Sequence, residues 1–171
     1  MSIARTRSYE DVVIAHAPAL LRLAVMLAGN RADAEDLLQS TLLRAARHGD
    51  RVAGMGAPAA YLRRVMLNEH TSNGRRSRRR VATVESVQSA EATVASGADA
   101  FDERDEAWRW LATLKPQQRS VLVLRYYEDL PDVEIAALLG CAEATVRSHA
   151  LRGLTALRGR LTTHRRGSEW T

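Results

Sequence analysis

The segment from Pro131 to Leu157 constrains the fold most, because its apolar residues follow two helical repeats separated by one glycine. The first repeat predicts a short amphipathic helix. Its apolar face comprises Val133, Ile135, Ala136, Leu138 and Leu139. Gly140 follows, and a residue without a Cβ atom can end a helix at positive φ without steric cost. The second repeat predicts a longer helix with Val146, Ala150, Leu154 and Leu157 on its buried side, so the segment is typical of a helix-turn-helix.

The outward side of the second predicted helix carries hydrogen-bond donors and positive charge. Its members are Thr145, Arg147, Ser148, His149 and Arg152. Such side chains can donate to phosphates and to base edges, as a helix in the major groove of DNA must. An ordinary helical hairpin inside an all-α core is the alternative interpretation of the same pattern.

The composition of the chain excludes several classes of protein. Its 171 residues suit one compact domain or two small ones, and 46% hydrophobic residues are enough for a folded core. A net charge of +5 favours polyanions as partners. The single cysteine, Cys141, excludes an internal disulfide and a multi-cysteine zinc site. No phosphate-binding glycine loop, metal-ligand cluster or nucleophile–base pair occurs, so we predict neither an enzyme nor a cofactor.

The amino-terminal sequence bears on localisation. The first residues, MSIARTRSYED, lack the apolar core of a signal peptide, and we expect no apolar run as long as a membrane span. The sequence therefore predicts a cytoplasmic protein that does not insert into a membrane.

The chain divides by composition into two helical blocks separated by a segment of different composition. The sequence shows no β alternation. We predict an all-α fold with two small helical domains, residues 1–82 and 103–165, joined by a flexible linker over residues 83–102. Ser8 and Asp11 have the spacing of a capping box at the first helix. Gly49–Ala57 is predicted to be a glycine-rich loop, and Pro58 and Pro116 are predicted to begin helices.

Four segments appear in an order that is specific to one family. They are RADAEDLLQSTLLRAAR, PAAYLRRVMLNEH, LKPQQRSVLVLRYYEDL and EIAALLGCAEATVRS. Together they resemble bacterial sigma factors of the extracytoplasmic-function group, and AYLRRVMLN with TVRS is similar to the SigE type of actinomycetes. The resemblance covers most of the chain except the linker. It implies an initiation factor without catalysis of its own, which recruits RNA polymerase core to promoters and opens the −10 element.

The resemblance also implies a polymerase contact in the first block. Its acidic-apolar helix, Asp33 to Arg47, would face the clamp helices of the largest polymerase subunit. The expected contacts are Asp36, Gln39, Ser40 and Leu43. Taken alone, the acidic residues of this helix indicate no more than capping and solubility.

The third helix and the arginine run after it would recognise and open the −10 element. The expected residues are Arg63, Arg64, Asn68, His70, Thr71, Asn73, Arg75 and Arg76. Asn68 matches an asparagine near the loop that captures a flipped base, and His70, Thr71 and Asn73 would belong to that loop. Similar sigma factors commonly carry tryptophan around positions 73 and 74. This chain has Asn73-Gly74, so we expect either a weaker intrinsic opening of the promoter or a different path of this loop.

The helix-turn-helix would read the −35 element, with Arg119 able to clamp a phosphate or simply to be solvated. Pro131 and Ala142 stand where the family usually has capping serines, and His149 stands where many relatives have arginine or glutamine. The implied partners are the polymerase clamp helices, the flap of the second-largest subunit, promoter DNA and, in many members, an anti-sigma factor. The protein would associate with the nucleoid when bound to polymerase. A stand-alone helix-turn-helix regulator is the alternative function.

Overall fold

The described residues are entirely helical apart from their connections. A computed structural model describes residues 7–83 and 104–167, and within these ranges it contains eight helices and no strand. The all-α prediction is therefore confirmed. The helices are α1 Tyr9–Ala28, α2 Arg31–Ala46, α3 Gly49–Ala53, α4 Pro58–Thr83, α5 Arg104–Ala112, α6 Pro116–Tyr126, α7 Asp132–Leu139 and α8 Glu143–Gly167. They fall into two units, residues 7–25 with 31–83 and residues 26–30 with 104–167.

The predicted capping box begins the first unit. The Ser8 backbone N–H donates to Asp11 Oδ2 at 3.0 Å, and the Asp11 backbone N–H donates to Ser8 Oγ at 3.1 Å. Two of the amide groups that the first turn of a helix leaves unsatisfied are thereby bonded. The local sequence alone therefore determines where α1 starts.

Helices α2 and α4 pack against each other in the first unit. Leu37 of α2 and Leu62 and Met66 of α4 are buried, as are Val12 and Leu23 of α1. The side chain of Arg44 on α2 forms an ion pair with Glu69 on α4. Burial of these apolar side chains holds α2 and α4 together in one body.

Two predicted breaks in the first unit are helical instead. The predicted loop Gly49–Ala57 contains α3, Gly49–Ala53, whose Val52 is fully buried. Helix α4 continues through Asn73 and Gly74 to Thr83, where a loop was expected. A single glycine in a helix costs only ~1 kcal/mol, and arginines are good helix formers, so Gly74 is not sufficient to end α4.

Helix α1 corrects the expectation about membrane-length segments. Within the described residues it is long and apolar enough to cross a membrane, by length and composition only. The expectation that no apolar run reaches this length is therefore wrong. Core helices meet the same criterion, and Val12, Leu20 and Leu23 of α1 are indeed buried.

The second unit contains the predicted helix-turn-helix. Helix α7 ends at Gly140, which has φ 66° and ψ 45°, and Cys141 N–H donates to Ala136 O at 3.0 Å. This left-handed glycine lets the chain turn directly into α8. Ile135 and Val146 are buried as predicted, but Val133 is 58% exposed, because it lies on the face of α7 turned away from the core.

Helix α6 forms the support for the helix-turn-helix. Its Val121, Leu122, Val123 and Leu124 are all buried, and α6 packs against both α7 and α8. A Cβ atom on Gly153 of α8 would lie 3.0 Å from Leu122 Cδ1. The absence of a side chain at Gly153 thus allows α8 to approach α6 closely.

Candidate nucleic-acid interface

The outward face of α8 carries most of the predicted DNA-reading set. Thr145, Arg147 and Arg152 are exposed, while Ser148 and His149 are half-buried. Thr145, Ser148 and Arg152 share one face, since residues spaced by three and four lie together on a helix. The opposite side contains the buried Val146 and Ala150. Helix α8 therefore presents donors and positive charge to solvent along its first turns.

An ion pair between α6 and α7 helps to set the orientation of this face. Arg125 Nε donates to Asp132 Oδ1 at 3.0 Å, and both side chains are largely buried. The hydrogen bond to Asp132 raises the pKa of the Arg125 guanidinium above its usual value. Since Asp132 is the first residue of α7, the bond joins the start of the helix-turn-helix to the helix that supports it.

The starts of α7 and α8 lack capping side chains. Pro131 is the N-cap of α7, with extended backbone at φ −69° and ψ 154°, and makes no side-chain cap bond. At α8 the Val146 N–H donates to Ala142 O at 3.2 Å, and alanine has no side-chain acceptor for the other amides. The Thr145 N–H also donates to Ala142 O, at 2.9 Å, so the first backbone bonds of α8 converge on one carbonyl oxygen.

Two residues on α8 were missed by the sequence analysis. Glu143 is exposed at the first residue of α8, and its Oε2 lies 3.4 Å from Arg147 Nη1. Helical spacing of four residues places this carboxylate beside Arg147 on the outward side of α8. Leu151 is 65% exposed, one turn after Arg147. An apolar group in this position can contact the methyl group of thymine.

Arg119 does not occupy the position expected of a phosphate clamp. Arg119 is only 7% exposed. Its Nη1 donates to Leu114 O at 3.3 Å and to Ala112 O at 3.4 Å. The last carbonyl groups of a helix have no partner within the helix, and Arg119 satisfies them at the end of α5. Contact with a phosphate would require this buried side chain to leave its carbonyl acceptors.

The predicted −10 residues lie along a single helix rather than on a helix and a loop. Arg63, Arg64, Asn68 and Asn73 are exposed on α4. Arg64 and Asn68 are four residues apart and therefore share a face. Arg75 and Arg76 also belong to α4, but their side chains lie outside the described part of the structure.

Two members of the predicted specificity loop are not freely accessible. Thr71 is 4% exposed, and its Oγ1 donates to Asn68 O at 3.1 Å. His70 is half-buried. The expected loop is wrong for this structure, because the helix continues and turns Thr71 toward the core. A hydroxyl bonded to the carbonyl one turn earlier is satisfied within its own helix.

Helix α2 presents the predicted polymerase-contact residues on one side. Asp36 and Gln39 are exposed, Ser40 is half-buried, and Leu43 is 65% exposed. The core side of the same helix contains Ala34, Leu37, Thr41 and Ala45. Leu43 thus adds an exposed apolar side chain to the polar residues on this side of α2.

Metal-ligand groupings do not occur among the described residues. No three histidine, cysteine, aspartate or glutamate side chains come together there in a way that could hold an ion. The chemistry of the described surfaces is that of hydrogen-bond donors and positive charge on α4 and α8.

The described part of the chain is a helical protein of two units with donors and positive charge exposed on α4 and α8, and comparison with known proteins assigns its family. The family description "Sigma-70 region 2" matches residues 12–81, and "Sigma-70, region 4" matches residues 104–157. Both regions of the family are thus present, one in each helical unit.

Individual relatives agree with this assignment. The RNA polymerase sigma-E factor of Streptomyces avermitilis is 37% identical over 153 residues, which cover 90% of this chain and 84% of that protein. The ECF RNA polymerase sigma factor SigL of Mycobacterium tuberculosis is 34% identical, covering 84% and 82%. The sigma factor RpoE of Bartonella quintana, solved with the anti-sigma factor NepR, has a TM-score of 0.59 at 25% identity, covering 90% and 96%.

The chain belongs to the sigma-70 family of RNA polymerase sigma factors, in its extracytoplasmic-function group. Sigma factors of this family bind RNA polymerase core and promoter DNA and act in the initiation of transcription. The presence of both regions excludes the alternative of a stand-alone helix-turn-helix regulator. The predicted resemblance, including its similarity to the SigE type, is confirmed.

Proposed function

We propose that this sigma factor holds a promoter at two points, with α8 reading the −35 element and α4 recognising and opening the −10 element. The outward face of α8 supports the −35 assignment, because Thr145, Arg147 and Arg152 are exposed there, opposite a buried apolar side. Arginine can donate two hydrogen bonds to one guanine, and the remaining donors can bind phosphates.

The −10 assignment is supported by the exposed side of α4. Strand opening needs positive charge along the backbone and a group that holds an unstacked base. Arg63 and Arg64 supply the charge, and the exposed amide of Asn68 can donate to a base and accept from it. We extend the assignment to His70, Asn73, Arg75 and Arg76 farther along α4, whereas the buried Thr71 supports the helix from within.

We propose that α2 binds the clamp helices of the polymerase through Asp36, Gln39, Ser40 and Leu43. Leu43 is exposed in the free protein and would be buried on binding, which is the property of an interface anchor. Leu43→Ala should weaken core binding about tenfold. Ile14→Ala is the matched control, because Ile14 on α1 is an equally large apolar residue, 75% exposed, outside this surface.

The chain contributes no catalytic group to transcription in this proposal. The polymerase supplies the metal ions and the nucleotidyl transfer, and the sigma factor acts in the cytoplasm, at the nucleoid when bound to core. The proposal also includes contact of the second unit with the flap of the polymerase. Association with an anti-sigma factor is a further proposal, supported by the relative that was solved with NepR.

The proposal is tested by transcription with reconstituted holoenzyme. Promoters enriched from genomic DNA by the holoenzyme are transcribed with their own −35 sequence or with a scrambled one. Wild-type protein should strongly prefer the intact −35 sequence, and Arg147→Ala and Arg152→Ala should reduce that preference. Arg109→Ala removes an exposed arginine from α5 and should leave it unchanged. Equal transcription from both templates by the wild-type protein would refute the assignment of α8.

A further inference from the structure

The carboxylate of Glu143 is the one acidic group exposed on the first two turns of α8. Its Oε2 lies 3.4 Å from Arg147 Nη1, and the side chains are 48% and 59% exposed. Surface ion pairs of this kind add little to folding stability. The fold therefore does not depend on this ion pair. Both side chains face solvent, on the side of α8 that DNA would cover in the proposed complex.

A carboxylate in the major groove has restricted chemistry. It can only accept hydrogen bonds, and the donors that base pairs offer there are the amino groups of cytosine and adenine. The N7 acceptor of adenine lies beside its amino group and repels a carboxylate, whereas cytosine presents its N4 amino group with no acceptor of its own in the major groove, and acidic side chains accept from this group. Phosphates and the acceptor edge of guanine repel the carboxylate as well.

The position of Glu143 brings this chemistry to the bases. In helix-turn-helix proteins the first residues of the recognition helix contact base edges. Glu143 is the first residue of α8, and Arg147 follows it by one turn. The five N–H groups of arginine allow Arg147 to remain bonded to Glu143 while two of them bind the O6 and N7 atoms of a guanine.

We propose that Glu143 is a specificity-determining residue of −35 recognition, which accepts a hydrogen bond from a cytosine amino group and orients Arg147 toward a nearby guanine. This inference rests on the proposed assignment of α8 to −35 DNA. It assigns the selection of two bases to one pair of side chains, and it predicts that the base read by Glu143 changes when its charge is removed.

The experiment uses holoenzyme and a promoter library randomised across the −35 element, with bound sequences counted at several salt concentrations. The wild-type protein should prefer cytosine at one position by about five- to tenfold. Glu143→Gln should shift that position toward adenine, because an amide binds the N6 and N7 atoms of adenine together. Glu143→Ala should leave the position without preference. Glu134→Gln removes the same charge from an exposed residue of α7 and should keep the cytosine preference.

Three results separate the inference from the function on which it rests. If Arg147→Ala loses a guanine preference while both Glu143 variants keep the wild-type profile, the inference about Glu143 is wrong and the assignment of α8 stands. If the Arg147 and Glu143 variants all keep the wild-type profile, the assignment of α8 itself fails. A uniform gain of affinity for every sequence in Glu143→Gln would overturn the inference as well, since it would show simple repulsion of phosphates.

Discussion

Arg44 of α2 and Glu69 of α4 form an ion pair that joins the helix assigned to polymerase binding with the helix assigned to the −10 element. The Glu69 side chain is only 14% exposed, whereas that of Arg44 is 65% exposed. Glu69 directly follows Asn68, and Arg44 directly follows Leu43. If binding of polymerase or DNA displaces either helix, this ion pair should therefore transmit the displacement to the other helix.

Breaking the Arg44–Glu69 pair should lower stability more than breaking an ion pair within one helix. Arg44→Ala is expected to reduce the free energy of unfolding by about 1 kcal/mol, because the largely buried Glu69 carboxylate loses its partner. Arg31→Ala is the control, since the Arg31–Glu35 pair within α2 is exposed on both sides and should contribute less than ~0.5 kcal/mol. Urea unfolding of both variants measures the difference. Equal losses would show that the contact between α2 and α4 has no special weight.

Asn68→Ala should impair promoter opening more than binding to core polymerase. The exposed amide on α4 is assigned to hydrogen bonds with an unstacked base, and each such bond typically contributes about 0.5–1.5 kcal/mol. Permanganate footprinting should show weaker reactivity of −10 thymines at saturating holoenzyme, with core affinity unchanged. His48→Ala, which alters an exposed polar residue outside α4, should open the promoter as the wild type does. Full opening by the Asn68 variant would remove this residue from the melting surface.

Tyr9 should make the stability of the first unit sensitive to alkaline pH. Its hydroxyl donates to Leu42 O at 2.7 Å, and burial, followed by Tyr61 and Glu10, raises its pKa above the usual 10.0. Because the folded-state pKa is the higher one, the contribution of Tyr9 is complete below pH 10 and decreases as the pH rises through the folded-state pKa.

Tyr9→Phe should therefore cost ~0.5–1.5 kcal/mol at pH 8, from the lost hydrogen bond, and less at higher pH. Unfolding by urea between pH 8 and 11 measures how the difference from wild type changes. Tyr127→Phe, at a residue 47% exposed, should alter stability by less than ~0.5 kcal/mol at pH 8. A difference for Tyr9→Phe that grows with pH would contradict the stated direction of the pKa shift.

Two glycines of α8 should respond in opposite ways to alanine. Nothing lies within 4 Å of a Cβ atom built on Gly159, so Gly159→Ala should stabilise the helix by about 0.5–1 kcal/mol. At Gly153 the new methyl group would lie 3.0 Å from Leu122 Cδ1, and overpacking typically costs ~1–3 kcal/mol. Thermal unfolding of both variants should place Gly153→Ala below Gly159→Ala. The reverse order would mean that α6 and α8 can separate without cost.

The features that the sequence predicted correctly are those with a local cause. Ser8 and Asp11 are three residues apart, and their capping bonds need nothing from the rest of the chain. Pro58 and Pro116 begin helices because their rings preset φ and their missing N–H groups are not needed there. The turn at Gly140 likewise follows from the conformational freedom of one residue.

The features that were missed depend on neighbours distant in sequence or on sums of small terms. The helix was expected to break near Gly74, but the cost of one glycine is outweighed by the helix formers around it. Val133 fits the apolar period of α7, yet none of the helices in the described part of the chain covers it. The role of Arg119 depends on where the carbonyl groups of α5 end, which its own sequence context does not reveal.

The candidate surfaces were predicted in composition more than in geometry. Helical spacing alone places Thr145, Ser148 and Arg152 on one face and Arg64 beside Asn68. The same spacing rule places Glu143 beside Arg147, although the sequence prediction of DNA-facing residues did not include Glu143. Burial of Thr71 required knowledge of the packing of α4, which no local pattern supplies.

The residues that orient α8 at the Gly140 turn are different from the residues on the outward face of α8. The direction in which α8 leaves α7 is set by the backbone of one residue and by the buried Ile135 and Val146 behind it. None of these groups belongs to the outward face of α8. Under the proposed assignment of α8, substitutions among Thr145, Arg147 and Arg152 should therefore change the preferred promoter without changing the direction in which α8 leaves the turn. A change of a few surface side chains should therefore be enough to give a new promoter preference, while the turn and the core behind it stay the same.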